Sequence, residues 1–284
     1  MDNKGGFMKP TTLSGLGLAA MLATVSVQAG AAAISYPDFS SVAGLTINGN
    51  AAQVGNVLRV TPSTFSQAGS AFSTSTVSLA SDASFSTYFQ FRFTNPGGAC
   101  DGQGCGADGL VFVVQTVGNN VGGLGGGIGY AGINNSVGIE FDTWNNGGID
   151  ANSSNHVGID VNGSVSSLVL TEVTEADMNN GAVWNVWIDY NGATNLLEVR
   201  LSQAAARPAA AILSLTRNLA NDLGTPNAFV GFTSGTGAAF ANHDVLTWTL
   251  ENKFAPIGTV PEPASLALLG LGLAGLAMRR RRKT

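Results

Sequence analysis

A β-sandwich or barrel is the fold class that the sequence predicts, and three observations carry that prediction. Only 11% of the 284 residues are charged, against roughly a quarter in an average soluble domain, which argues against a charge-laced helical bundle. Thirty-eight glycines, accompanied by abundant Ser, Thr and Asn, suit short strands and tight turns better than long helices. Several short segments between residues 85 and 250 carry apolar side chains at every second position, and no comparable helical stripe appears between residues 34 and 254. A chain of this length holds one sizeable core, since all-β sandwiches often pass 200 residues as one domain.

In order along the chain, Phe85, Phe89, Phe91 and Phe93 share one parity while Ser86, Gln90 and Arg92 take the other, the signature of a half-buried strand. Gly109–Val117 is a near-continuous apolar run, as expected of a strand covered on both faces. Alternation returns in Val137–Trp144, Val157–Val161, Trp184–Tyr190, Leu197–Leu201, Phe229–Phe232 and Val245–Leu250. Trp184, Trp187 and Trp248 follow that alternation and read as packing residues, and His243, with no carboxylates spaced around it, reads as structural.

Both ends read as targeting segments. Residues 1–29 carry Lys4 and Lys9, an apolar run from Leu13 to Val27 and the small residues Val27 and Ala29, a signal-peptide layout with cleavage before Gly30 or as late as residue 33. Residues 255–263 form a linker ending in Pro261-Glu262-Pro263; an uncharged stretch 264–278 and the basic tail 279–284 follow. A helix over 264–278 would span only about 22 Å, short for a lasting membrane span. This layout resembles the PEP-CTERM sorting signal. The resemblance implies export from a Gram-negative bacterium, a transient inner-membrane anchor, processing by an exosortase-type partner, and a resting place at the cell surface or in the extracellular matrix.

Without the two ends, Lys plus Arg falls from 13 to 6 (two lost in front, five behind) and Asp plus Glu from 18 to 16, leaving a core near −10. So acidic a body lacks the basic face that nucleic acid requires. Cys100 and Cys105, the only cysteines, are five apart in a glycine-rich stretch. In an exported chain they read as a small-loop disulfide, with two free thiols as the alternative.

Chemistry concentrates in Val137-Gly138-Ile139-Glu140-Phe141-Asp142-Thr143-Trp144. Alternation sends Val137, Ile139, Phe141 and Thr143 to one face and Glu140, Asp142 and Trp144 to the other. Carboxylates two apart on a strand stand about 7 Å from each other and repel unless something cationic lies between them. Asn146, Asp150 and His156 follow in a flexible loop that can return oxygens and an imidazole. Hard oxygens suit calcium; carboxylates with His suit manganese or another transition ion.

That spacing resembles the L-type (legume-type) lectins, whose hallmark is Glu-Phe-Asp-Thr-aromatic followed by Asn, Asp and His. Further matching stretches are Gly106–Phe112, Val157–Asn162 and Val230–Gly237 through His243–Leu250, in the family's order across residues 34–254. The resemblance implies an all-β, concanavalin-like sandwich (jelly roll) of antiparallel sheets. It also implies Glu140, Asp142, Asp150 and His156 on a transition metal such as Mn2+, and Asp142, Asp150, Asn146 and the Trp144 carbonyl on Ca2+. Sugar contacts would come from Asp108 after a cis peptide, Gly126 or Gly127, Asn146 and Trp144, with Ala238 and Ala239 on the last contacting loop. Ala151 stands where plant members usually have proline.

Function is thus expected to be saccharide or polysaccharide binding without catalysis. A laminarinase-like hydrolase on the same sandwich needs a further Glu on the strand, where Trp144, Asn145 and Asn146 stand instead. A self-assembling matrix protein, using sheet faces as in a homodimer, is the remaining alternative.

Overall fold

The computed structural model describes Met1 and residues 33–79, 82–102, 104–123 and 127–258. Residues 2–29, Gly126 and the sorting segment 264–284 lie outside them. Sixteen strands occur among the described residues: β1 (Ile34–Tyr36), β2 (Leu45–Gly49), β3 (Ala52–Val54), β4 (Val57–Thr61), β5 (Ala68–Ser73), β6 (Val77–Ser78), β7 (Phe85–Gly98) and β8 (Gly109–Gln115), then β9 (Ser136–Asp142), β10 (His156–Val161), β11 (Val169–Glu172), β12 (Trp184–Asn191), β13 (Leu196–Ser202), β14 (Leu213–Thr216), β15 (Asn227–Gly235) and β16 (Ala239–Glu251). One helical turn, α1 (Leu219–Leu223), precedes β15.

The strands form two antiparallel sheets. One has the order β14-β13-β12-β7-β16-β4-β3, with β1 on β16; the other, here the site sheet, has the order β11-β10-β9-β8-β15-β5-β2, with β6 on β15. Aromatic rings join them across the core: Phe89 packs 5.0 Å from Phe232 and 5.9 Å from Phe112, and Phe91 packs 5.2 Å from Phe141. These residues belong to the alternating stretches that marked β7, β9 and β15 as strands and to the apolar run that marked β8, so the sequence pattern and the core coincide.

The apolar run at β8 has a specific cause. Leu110, Phe112 and Val114 enter the main core, while Val111 and Val113 join Phe72, Ile128, Tyr130 and Ile133 in a second cluster on the other face of the site sheet. The chain between β8 and β9 supplies three of those residues, so part of the site sheet is covered on both faces.

Boundaries differ from the alternation at informative places. The strand expected over Val137–Trp144 stops at Asp142, whose Oδ1 accepts from the Trp144 amide at 2.6 Å and turns the chain out of the sheet. In β16 the register shifts twice, so strand pairing runs beyond Val245–Leu250 to Ala239–Glu251. The strands before residue 79, together with β11, β14 and α1, lack a strong alternating stripe and were not anticipated.

Candidate functional site

Register brings the chemistry together. In the site sheet Asp142 stands opposite His156 on one side and Gly109 on the other, while Glu140 stands opposite Gly158 and Val111. Val137, Ile139 and Phe141 point into the core, so Glu140, Asp142 and His156 share the outer face. Each offers one ligand atom within 4.8 Å of the other two. All are buried at 3% exposure or less, which is unusual for two acids and an imidazole without compensating charge. His156 Nε2 lies 3.3 Å from Glu140 Oε1, off the line a hydrogen bond requires, and neither ring nitrogen has a hydrogen-bond partner.

Gly158 makes this packing possible. A Cβ there would fall 2.1 Å from Ser167 Oγ and 2.3 Å from Glu140 Oε1. Ser167 uses that space to reach Glu140 Oε1 at 2.6 Å and Asp160 Oδ1 at 2.8 Å. Neither Asp160 nor Ser167 was among the sequence candidates. Asp160 shares the parity of His156 and could have been found by alternation; Ser167 arrives from the β10–β11 connection and leaves no periodic signal.

The loop after Asp142 folds back over the cluster. The Asn146 amide donates to Asp150 Oδ2, and Gly147–Asp150 forms a short 3-10 turn that buries Asp150. The Asn145 amide donates to Asp101 Oδ2 at 3.0 Å, so the stretch closed by the Cys100–Cys105 disulfide braces this loop. Ala151 has φ +51°, a left-handed conformation that proline, locked near −65°, cannot adopt. Asn146 is exposed and Trp144 half-buried at the rim.

Asp108 approaches from the start of β8. Its peptide bond with Ala107 is cis, its amide donates to the Gly235 carbonyl at 3.1 Å, and its carbonyl accepts from the Thr143 amide at 2.8 Å. Its Oδ2 is buried without a partner. Burial and the nearby Asp150 push the Asp108 carboxyl up to about 7. Burial, then the Glu140 carboxylate, raise Asp142 well above the ordinary range, and burial also raises Asp150 and Asp160. Like charges crowd here around a single imidazole, and no Lys or Arg pairs with them among the described residues.

The remaining candidates lie on two loops. Gly127 accepts from the Tyr130 and Ala131 amides. Ala238 is exposed, whereas Ala239 opens β16 with 2% exposure, which leaves chiefly backbone to face a ligand at that position.

Comparison with known proteins places these features. A family model described as the legume lectin domain matches residues 31–263, and one described as the PEP-CTERM protein-sorting motif matches residues 259–282. L-type lectin-domain containing receptor kinase VIII.1 of Arabidopsis thaliana is 33% identical over 208 residues, covering 70% of this chain and 27% of the relative. The chain spans about a quarter of the length of this kinase and of a second one, receptor kinase VIII.2. Bark lectin of Styphnolobium japonicum is 35% identical over 179 residues, covering 59% of this chain and 61% of the relative. Among solved structures, metal-free lectin I-B4 of Griffonia simplicifolia has TM-score 0.64 at 25% identity, covering 77% of this chain and 98% of the other. Lectin II of Ulex europaeus gives 0.63 at 25% identity, with 77% and 97% covered.

Proposed function

The chain belongs to the legume lectin family, and from that premise we propose that it is an exported protein that binds a saccharide, without catalysis, at a site organised by cations. One observation carries the reading: Glu140, Asp142 and His156 are buried within ligand distance of one another, with both imidazole nitrogens free of hydrogen bonds. Such a set is costly alone and favourable around a cation. These residues fit the metals of the family. Glu140, Asp142, Asp150 and His156 would hold a transition ion such as Mn2+, and Asp142, Asp150, Asn146 and the Trp144 carbonyl would hold Ca2+. Bound there, such ions would supply the positive charge that favours the ionised carboxylates.

The sugar contacts follow. Asp108 accepts hydrogen bonds from ring hydroxyls, Asn146 both donates and accepts, and Trp144 covers an apolar sugar face; the family resemblance adds a backbone N–H from Gly126 or Gly127 and the Ala238–Ala239 loop. The matched sorting motif supports export with an exosortase-type partner, then residence at the cell surface or in an extracellular polysaccharide matrix. The domain limits that go with this reading are a signal peptide over residues 1–29, a lectin-like domain over 34–254 and a sorting segment beyond it. Catalysis is disfavoured because the chain turns outward at Asp142, so no third carboxylate follows on the strand.

The test is titration of the purified protein with calcium and manganese, followed by a glycan array with and without chelator. Metal-dependent binding to a defined glycan class is the expected result, with a fall in melting temperature on chelation of metal-loaded protein. A protein that self-associates but binds no glycan in either state favours the matrix-protein alternative.

A further inference from the structure

A line of polar side chains ending at Gly109, the residue after Asp108, crosses from one sheet to the other. His243 of β16 is fully buried, and its Nδ1 lies 2.7 Å from Thr61 Oγ1 on the adjoining β4. Thr61 Oγ1 lies 2.8 Å from Ser234 Oγ on β15, and Ser234 donates to the Gly109 carbonyl at 2.6 Å. Each hydroxyl has a single proton, so the direction of the whole line follows from its end. A carbonyl only accepts, so the Ser234 proton goes to Gly109. Thr61 must then supply the proton between the two hydroxyls, and with that proton committed, His243 Nδ1 must donate. The network therefore assigns the Nδ1–H tautomer to His243. Its Nε2 has no hydrogen-bond partner, and the ring packs edge-on against Phe93 at 4.6 Å. Burial pushes the imidazolium down to about 3, in keeping with a neutral ring.

Gly109 is where this line meets the site. Its φ of +149° and the 2.2 Å approach of the Phe141 carbonyl to an added Cβ exclude a side chain, and Asp108 immediately precedes it. We propose, on the lectin reading above, that His243, Thr61 and Ser234 are positioning residues that orient the Gly109 carbonyl from across the sandwich and thereby set Asp108 in the saccharide site.

Three measurements test this. With only two histidines in the chain, 15N spectroscopy of the imidazoles should show the proton of His243 on Nδ1 in the wild type and no longer confined there in Thr61→Val. Affinity for the glycan selected by the array should fall about tenfold in Ser234→Ala and stay near wild type in Thr61→Ser, which keeps the hydroxyl. Calcium affinity should not change in either variant. A wild-type His243 protonated on Nε2, or a folded Ser234→Ala that binds glycan as tightly as wild type, overturns the inference alone. A wild type that binds no glycan with calcium present overturns the lectin reading and this role with it, while the tautomer still reports the direction of the line.

Discussion

The two sheets bury carboxylates on their outer faces by opposite means. On the sheet without the site, Asp244 takes a bidentate pair from Arg59 at 2.7 and 2.8 Å, and Asp189 takes Arg207 at 2.5 Å with Arg200 at 3.7 Å. On the site sheet Glu140, Asp142 and Asp160 crowd together, with Asp108 and Asp150 beside them, and His156 is their only basic ion-pair partner among the described residues. A buried acid persists when a counter-charge offsets its desolvation. In one sheet the chain carries its own; in the other the geometry leaves the counter-charge to come from outside. Four of the six Lys and Arg in residues 34–254 pair with acids elsewhere, which sharpens that contrast.

The largest expected effect comes from making one substitution in both sheets. Asp189→Asn strands Arg207 beside a neutral side chain, while Arg200 keeps Glu198 at 3.2 Å, and should cost about 3–5 kcal/mol, with or without chelator. Asp142→Asn relieves like-charge crowding, so in chelator its melting temperature should equal or exceed wild type, and added cation should no longer raise it. Thermal denaturation of both variants in each condition decides the matter. A large loss of stability for Asp142→Asn in chelator would remove the distinction between the sheets.

A smaller effect is expected at Asp108, which carries a buried, unpartnered Oδ2 at the rim of the acidic cluster. Asp108→Ala should cost about 1–3 kcal/mol of glycan binding, roughly fivefold to more than a hundredfold. Calcium affinity and fold should be kept. Calorimetry with the selected glycan measures it, and unchanged affinity would place the sugar elsewhere on the molecule.

How much of this was legible in the chain depends on the reach of each signal. Alternation located several strands that line the core, because inward apolar residues at every second position write period two into Phe85–Phe93 and Val137–Asp142, even where, as in β9, polar residues on the outer face are buried as well. It could not locate β2, β3, β11 or β14, whose residues are largely half-exposed and need no strict pattern. Glu140 and Asp142 stood out because they share a parity within one strand. Ser167, Thr61 and Ser234 could not, since each acts through a partner far away in sequence, and an isolated hydroxyl has no local signature. His243 read as structural, and only the hydrogen bond to Thr61 gives it a direction. The acid–arginine pairs of the other sheet were equally hidden, since Arg59 and Asp244 meet across 185 positions.

The smallest effect, and the one that opposes the two states of the same protein, concerns pH. Without metal, Asp108 keeps its proton up to about 7 in the folded state, above its ordinary value of 3.8, and Asp142, Asp150 and Asp160 shift in the same direction. Between those limits the folded form binds more protons than the unfolded form, so stability must fall as pH rises from about 4 through 7. His243 works the other way, because burial lowers it from 6.5 to about 3 and the unfolded chain takes up its proton first. One imidazole opposes four carboxyls, so the acids set the sign. Saturating metal reverses it, since ligands must lose their protons to coordinate and affinity rises with pH. Melting temperature should therefore fall from pH 5 to pH 7.5 in chelator and rise over the same range with calcium and manganese present. Parallel curves would mean that the cluster does not bind the ions, and the site sheet would then bury its acids at a cost that no cation relieves.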